Sequence, residues 1–270
     1  MPGIKDAKCV LVLGATSGIG RALALAIHGL ESKPTVIVSG RRQERLDELS
    51  KQGERIRTAR VDITASEEKL REFVNDTLSK YPDLDAVIFS SGIQHIFDFT
   101  KPETIDISKF QDEITTNYIS IFKLIVLFLP HFLKLSDEGR PSFIIPITSG
   151  LSIMPYARVP NYCATKAALH SLDMSLRYQL SNTKVKVIEI LPPLVESELH
   201  DHQGTTPSLS KAWMPLDEFT KHTMQGLIRG DPQVAVGAAA DSLERFENGK
   251  LDAVQHFNSR NSRMSQVNPT

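Results

Sequence analysis

The chain has 270 residues, 41% of them hydrophobic, and its 31 lysines and arginines nearly balance its 32 aspartates and glutamates. This length and composition suit one α/β domain with a two-sided core. The balanced charge provides no global field to attract nucleic acid, so we expect no nucleic-acid partner. Two cysteines cannot form a disulfide framework, which indicates a reducing, cytoplasmic setting.

The apolar stretches are too short or too interrupted to cross a membrane. The first, over residues 9–13, is followed by a glycine-rich segment. The longest, over residues 119–135, contains Lys123, Pro130 and His131, and it falls short of the ~18 uninterrupted apolar residues of a membrane span. We therefore expect no membrane partner.

The chain begins with a predicted strand, a glycine-rich turn and a helix. Residues 8–13 are apolar, residues 14–20 are Gly-Ala-Thr-Ser-Gly-Ile-Gly, and helical periodicity covers 21–30. Such a turn lets a pyrophosphate approach the backbone and the helix N-terminus; a plain βα turn is the alternative. The expected cofactor contacts of this turn are Gly14, Thr16, Ser17, Gly18, Ile19 and Gly20.

Strands and helices then alternate along the chain. Strand-like runs at 35–39, 56–61, 86–89, 143–148, 185–191 and 234–236 predict six further strands. One long helical region is predicted over 107–135, with a kink near Pro130. The pattern predicts a doubly wound parallel sheet of about seven strands with helices on both faces. We expect one domain over 1–258 and a disordered polar tail over 259–270.

Ligands of such sheets bind at the carboxyl ends of the strands. The residues that fall there are Gly14, Arg41, Asp62, Gly92, Ser149 and Pro192.

The end of the second strand predicts the cofactor. An enzyme that selects NAD usually has an acidic residue there, whereas this chain has Gly40 followed by Arg41 and Arg42. Glycine leaves room for a 2′-phosphate, and arginine binds phosphate through charge-assisted hydrogen bonds. We therefore predict NADP(H), with Arg41 as the main phosphate ligand. Solvated arginines at a helix start are the alternative, and Arg42 suits it better.

Tyr162 and Lys166 lie four residues apart at the start of a predicted helix. Residues at this spacing share a helix face, and a nearby cation lowers the pKa of a phenol. Tyr162 could then act as a general acid on a carbonyl oxygen. Taken alone, the pair also fits a core tyrosine beside a solvated lysine.

Together these motifs resemble the short-chain dehydrogenase/reductase family, over residues 8 to about 197. The glycine turn, Asn117, Ser149, Tyr162 and Lys166 stand at the family's spacing. The resemblance implies a Rossmann fold and an NADP(H)-dependent oxidoreductase that interconverts a ketone or aldehyde and an alcohol. Tyr162 would donate the proton, Ser149 would hold the substrate oxygen, Lys166 would lower the pKa of Tyr162 and bind the ribose, and Asn117 would kink its helix and hold a relay water.

The resemblance also implies the remaining cofactor contacts, which are Tyr162, Lys166, Ile63, Ser91, Val195 and Ser197. Two motifs depart from the family, since residues 89–92 are Phe-Ser-Ser-Gly and residues 192–193 are Pro-Pro. Phe89 and Pro193 favour one alternative, a redox-silent dinucleotide-binding sensor or scaffold. Another is an epimerase, dehydratase or cyclase that reuses the tyrosine and lysine. From about His200 the chain resembles a microbial branch of oxidoreductases associated with teichoic-acid D-alanylation, from which we carry over no substrate.

Four further expectations concern the surroundings of the site. The polar, turn-rich segment at about 197–215 predicts a substrate lid, in which Glu196 and Glu198 are expected to be solvated. Ile153, Met154 and Tyr156 predict a small-molecule substrate that is a bulky, apolar or aromatic ketone. The apolar stripe over 119–135 predicts a homodimer. His131 and His170 lack ligand-spaced partners, so no metal site is predicted.

Overall fold

The computed structural model describes residues 1–267, with side chains described through residue 261. Six strands form one parallel sheet: β1 (Cys9–Leu13), β2 (Thr35–Gly40), β3 (Ile56–Arg60), β4 (Leu84–Phe89), β5 (Ser142–Pro146) and β6 (Val185–Val187). Their order is β3-β2-β1-β4-β5-β6. The fold class predicted from the sequence is confirmed, because this is the doubly wound order of a Rossmann fold.

A second, two-stranded ladder pairs β7 (Glu189–Leu191) with β8 (Gln233–Ala235). In the described part of the chain the helices are α1 (Gly18–His28), α2 (Gln43–Ser50), α3 (Glu67–Lys80), α4 (Ile107–Ile114), α5 (Ser120–Asp137), α6 (Pro160–Gln179), α7 (Thr206–Leu209), α8 (Leu216–Arg229), α9 (Ala238–Glu247) and α10 (Lys250–Val267).

Both faces of the sheet are buried, and β1 shows how. Val10 and Val12 point into a cluster that includes residues of α1 and α8. Leu11 and Leu13 point into a second cluster, with Phe128 of α5. Successive strand residues face opposite sides, so an uninterrupted apolar strand supplies two cores. Each fully buried side chain of this kind stabilises the fold by about 1.5–3 kcal/mol.

The strand predicted over 185–191 is divided at Ile188. The Ile188 N–H donates to the Ile144 carbonyl, and the next bond of a regular parallel ladder would come from the N–H of residue 146. Pro146 has no N–H, so the regular ladder is interrupted there and resumes only as an isolated bridge between Ile147 and Ile190, while residues 189–191 pair with β8. The structure therefore has a six-stranded sheet plus a two-stranded ladder rather than one sheet of seven strands.

The long helix predicted over 107–135 is interrupted, but not at Pro130, which lies inside α5. A wider π-helical turn at Thr115–Ile119 joins α4 to α5. By length and composition alone, the helical segment Ile107–Asp137 is long and apolar enough to cross a membrane. A core helix meets the same criteria, and one face of α5 is buried on the sheet through residues such as Phe132.

The disordered tail predicted over 259–270 overlaps the last helix of the structure, and its disorder stays a prediction. Helix α10 continues through residues 259–267, because neither glycine nor proline interrupts the sequence from Lys250 to Val267. Residues 268–270 lie outside the described residues.

Gly20 provides a test of how tightly α1 packs on the sheet edge. A Cβ atom built on Gly20 would collide with the Gly14 carbonyl oxygen and lie 2.9 Å from the Ser90 Oγ. We expect Gly20→Ala to lower the free energy of unfolding by about 1–3 kcal/mol, as overpacking does. Gly29→Ala is the control, since Gly29 has φ −77° and its Cβ would make only ordinary contacts. Urea denaturation measures both, and equal stabilities would contradict the packing account.

Candidate active site

The functional cavity lies where four strands end. Leu13 pairs with Ser39 and with Phe89, and Phe89 pairs with Pro146. The carboxyl ends of β1, β2, β4 and β5 therefore lie side by side. The residues that follow them line a cavity of about 710 Å³, a size typical of small-molecule sites.

The cavity brings together nearly all residues predicted to bind the cofactor. Its lining includes Gly14, Thr16, Ser17, Gly18, Ile19, Arg41, Arg42, Asp62, Ile63, Ser91, Gly92, Tyr162, Lys166, Pro192, Val195 and Ser197. Gly20 does not line it, because it packs beneath the turn. Its requirement for glycine therefore comes from helix packing rather than from ligand contact.

The turn after β1 fits the phosphates of a dinucleotide. Gly14 has φ +82°, and a Cβ there would lie 2.6 Å from the Ser91 backbone nitrogen, so only glycine fits. Ser17 precedes α1 in an extended conformation and makes no side-chain cap. The N–H groups of the first helical turn are thus not occupied by a Ser17 cap, which suits an anion at the helix N-terminus.

Tyr162 and Ser149 face each other inside this cavity. Tyr162 is in the first turn of α6, where Pro160 starts the helix, and Ser149 lies near enough for hydrogen bonding to favour the phenolate of Tyr162. The Ser149 Oγ also accepts a hydrogen bond from the Leu151 N–H at 3.1 Å. This backbone contact fixes the hydroxyl of Ser149 opposite the phenol.

Lys166 lies one helical turn from Tyr162 and is almost fully buried. Its Nζ donates to the Ile147 carbonyl at 2.7 Å and lies 5.6 Å from the centroid of the Tyr162 ring. Burial lowers the pKa of Lys166 to about 8, partly opposed by the negative charges of Asp173 and Glu113. The lysine therefore titrates close to physiological pH.

The predicted direction of the Tyr162 pKa is wrong for this structure. We expected Lys166 to lower that pKa, but burial raises it, and the hydrogen bond to Ser149 offsets only part of the effect. The ammonium is bonded to a backbone carbonyl and stands beside the ring. Tyr162 therefore stays protonated near neutral pH.

Asn117 does not line the cavity but supports residues that do. It is fully buried at the centre of the π-helical turn. Its side-chain amide accepts from the Ile93 N–H at 2.9 Å and donates to the Ile93 carbonyl at 2.8 Å. It also donates to the Thr165 Oγ1 at 3.2 Å. The amide thus ties the π turn to the loop after β4 and to α6.

Sequence analysis missed Glu113, which is fully buried. One carboxylate oxygen accepts from the His95 N–H at 3.0 Å and the other from the Asn161 Nδ2 at 2.6 Å. Burial raises the pKa of Glu113 to about 7. The sequence carried no signal for this residue, because α4 exposes Ile107 and Phe110 while it buries the glutamate, the reverse of a usual amphipathic helix.

Apolar and aromatic residues form part of the wall at the far end of the cavity. Leu151, Met154, Tyr156, Val159 and Leu199 line it, whereas the predicted Ile153 does not.

The predicted lid segment contacts the loop after β4 at this far end. His200 Nδ1 lies 3.1 Å from the Gln94 Oε1, and His202 Nε2 lies 2.9 Å from the Gln94 carbonyl oxygen. Gln203 Nε2 donates to the same carbonyl at 2.5 Å.

At the other end of the cavity, Arg42 is held more firmly than predicted. Its guanidinium donates to the Thr16 Oγ1 at 2.8 Å and to the Ser17 Oγ at 2.6 Å. The preference for Arg41 as the better placed arginine is therefore not supported by contacts, although both line the cavity. Glu198, expected to be solvated, forms an ion pair with Arg42.

The histidines singled out in the sequence have structural contacts. His170 Nδ1 lies 2.8 Å from the buried Glu189 Oε1, and His131 Nε2 lies 2.8 Å from the Leu84 carbonyl oxygen. Within residues 1–261, no group of three His, Cys, Asp or Glu side chains is arranged to hold a metal ion.

Comparison with known proteins identifies the class. The short chain dehydrogenase family model matches residues 8–207, and the chain belongs to this family of oxidoreductases, which bind a nicotinamide dinucleotide. The uncharacterized oxidoreductase DltE of Bacillus subtilis is 36% identical to it, over 83% of this chain and 86% of the relative.

Two further relatives agree with this assignment. The NADP-dependent 3-hydroxy acid dehydrogenase YdfG of Salmonella typhi is 30% identical, over 69% of this chain and 72% of the relative. The solved short-chain dehydrogenase of Sphingobium yanoikuyae in complex with NADPH has a TM-score of 0.75 at 22% identity and covers 97% of both chains. This structural likeness supports the fold.

Glu113 predicts a pH dependence of stability. Its pKa is about 7 in the folded protein and 4.5 ordinarily, so between these values the folded protein binds more protons than the unfolded chain. Stability therefore falls as pH rises through this window. Replacing Glu113 by Gln removes this linkage, and the wild-type advantage in unfolding free energy should shrink by roughly 2.5 kcal/mol from pH 5 to pH 8.

Urea denaturation at pH 5 and pH 8 measures this difference. Glu72→Gln, at an exposed position of α3, controls for the loss of one carboxylate. If the difference between wild type and Glu113→Gln is the same at both pH values, Glu113 does not titrate as described.

Proposed function

We propose that this protein is an NADP(H)-dependent oxidoreductase that interconverts a ketone or aldehyde and an alcohol, with Tyr162 as general acid and base. The observation that carries the proposal is the placement of the buried Tyr162 and Ser149 side chains in the same cavity as the glycine turn after β1. A substrate in this cavity would therefore lie near both a proton donor and a cofactor bound at the turn.

The bound cofactor supplies or accepts a hydride at the carbonyl carbon. Ser149 donates a hydrogen bond to the substrate oxygen, with its own Oγ fixed by the Leu151 N–H. Tyr162 donates its proton to that oxygen as negative charge develops during reduction. Because burial raises the pKa of Tyr162, the phenol stays protonated until the proton is transferred to the substrate oxygen.

Lys166 and Asn117 prepare the site for this transfer. Lys166, whose Nζ lies 5.6 Å from the centroid of the Tyr162 ring, would bind the cofactor ribose, and any stabilisation of the phenolate by its charge is smaller than the opposing effect of burial. Asn117 holds the loop at Ile93 against α6. We assign Asn117 a positioning role and a place in a proton relay.

Three observations support NADP(H) over NAD(H). A Cβ at Gly40 would lie 2.7 Å from the Thr16 Cγ2, so the acidic residue of NAD enzymes would not fit without rearrangement. Arg42 stands at the turn with Thr16 and Ser17. The relative YdfG is described as NADP-dependent.

The substrate that suits the cavity has an apolar portion beside its carbonyl. Met154, Tyr156 and Leu199 line the far end, which favours a bulky apolar or aromatic ketone over a sugar.

The alternative of a redox-silent sensor was favoured by Phe89 and Pro193, and the position of Phe89 no longer supports it. Phe89 is buried in the core cluster beneath the sheet, so its ring does not fill the cofactor cavity.

The experiment is NADPH oxidation, followed at 340 nm against a panel of aromatic and aliphatic ketones and aldehydes. We expect turnover, and we expect Tyr162→Phe to lower kcat/KM at least 10²-fold while NADPH binding persists, because only the acid is removed. Tyr81→Phe, at the end of α3, is the control for loss of a remote hydroxyl.

Other outcomes would identify the alternatives. Cofactor binding without oxidation on any substrate would favour the sensor, and product formation without net cofactor change would favour the epimerase, dehydratase or cyclase. A Phe variant that keeps more than about a tenth of wild-type kcat/KM would remove Tyr162 from the role of catalytic acid.

We also propose a homodimer in the cytoplasm. Helix α5 and the turn before it expose Ile119, Phe122 and Val126, which continue the apolar surface begun by Phe110 on α4. A two-fold pair would bury these side chains. The two free cysteines are both buried, which suits a reducing compartment.

Light scattering tests the dimer. Wild type should be a dimer at micromolar concentration, and Val126→Glu should shift it toward monomer, because a carboxylate would be buried without a partner. Gln225→Glu, at an exposed position of α8 on the opposite face of the sheet, should remain dimeric. A monomeric wild type would overturn the proposed assembly.

A further inference from the structure

Glu198 binds two arginines at the cofactor end of the cavity. Its Oε2 accepts from the Arg42 Nη1 at 2.8 Å. Its Oε1 accepts from the Arg45 Nη1 at 2.6 Å, and Oε2 lies 2.8 Å from the same nitrogen. Both carboxylate oxygens are therefore used, and the two guanidinium groups converge on one anion.

Every nitrogen of the Arg42 guanidinium has a partner. Nε donates to the Thr16 Oγ1 at 3.0 Å, and Nη2 donates to the Thr16 Oγ1 and the Ser17 Oγ. The remaining nitrogen, Nη1, donates to Glu198. These contacts use four of the five N–H groups, so an additional anion finds one N–H of Nη1 open and gains a second bond to this guanidinium only by replacing or sharing one of these contacts.

The arginines stand where the proposed cofactor carries its distinguishing group. Arg42 follows Gly40 at the end of β2, the position that contacts the ribose 2′ substituent in folds of this order. The 2′-phosphate of NADPH is an anion, and the 2′-hydroxyl of NADH is neutral. A carboxylate held by the same arginines repels the first and hardly affects the second.

We propose that Glu198 is a specificity-determining residue that competes with the cofactor 2′-phosphate for Arg42 and Arg45. The inference rests on the proposed use of NADP(H) and deepens it. Glu198 lowers the affinity for NADPH below what the arginines alone would give, so the chain discriminates between the two cofactors less than its arginines suggest. Arg45, which sequence analysis did not single out, becomes a second phosphate ligand.

The same contact links the phosphate to the predicted lid. Glu198 is the first residue of the turn Glu198–Gln203, and the later residues His200 and His202 contact Gln94 at the substrate end. A phosphate that displaces Glu198 from the arginines releases one anchor of this turn. NADPH, unlike NADH, therefore loosens the segment at residue 198.

The test measures dissociation constants of NADPH and NADH by nucleotide fluorescence in wild type and Glu198→Gln. We expect the variant to bind NADPH about tenfold more tightly, the effect expected of two solvent-exposed ion pairs, with NADH changed less than about twofold. Glu196→Gln is the matched control, because Glu196 is exposed and does not line the cavity. Glu198→Ala repeats the test with a side chain that lacks both the carboxylate and the amide of the Gln variant.

Each possible result of these measurements either supports or overturns a stated assignment. An unchanged NADPH to NADH ratio in both Glu198 variants overturns the proposal, and so does weaker NADPH binding, which would make Glu198 a clamp that acts together with the phosphate. Hydrogen exchange supplies a second readout, since NADPH should raise exchange at 198–203 above the NADH level in wild type but not in Glu198→Gln. Wild type that prefers NADH overturns the cofactor assignment alone, because Glu198→Gln would still shift the ratio of affinities toward NADPH.

Discussion

The molecule depends on the parallel register of β1 with β2 and β4. Leu13 pairs with Ser39 on one side and with Phe89 on the other, so three chain segments leave the sheet at one edge. The strand order reverses between β1 and β4, and the crevice of an open sheet forms at such a point. A register slip of one residue would turn each side chain to the other face, and both cores would be lost with the cavity.

Burial sets the electrostatics of helix α6. Helix α6 places Tyr162, Lys166 and Asp173 in the interior, where the charged form of each group is disfavoured. The phenol is held protonated and the pKa of Lys166 falls to about 8. The charges of Asp173 and Glu113 partly oppose this fall. In the proposed reaction, these carboxyl groups therefore help to set the pH at which the lysine carries its charge.

One segment touches both ends of the cavity. Glu198 contacts the arginines beside the glycine turn, and two residues later His200 contacts Gln94 near the apolar wall. In the proposed enzyme, cofactor selection and substrate enclosure thus share a single stretch of backbone. Changes at the adenosine end can then reach the substrate end without any movement of the sheet, since the connecting turn spans only residues 198–203.

The sequence by itself determined the alternation of strands and helices, the glycine turn and the spacing of Tyr162 and Lys166, because hydrophobic periodicity and local backbone requirements are written in neighbouring residues. It could not place the break at Pro146, which depends on hydrogen bonding to another strand. Nor could it foresee the contacts of Glu198, which join residues 156 positions apart. Burial likewise reversed the expected pKa shift of Tyr162. Only the tertiary structure decided these points, because solvent exclusion and long-range pairing arise when distant segments pack together.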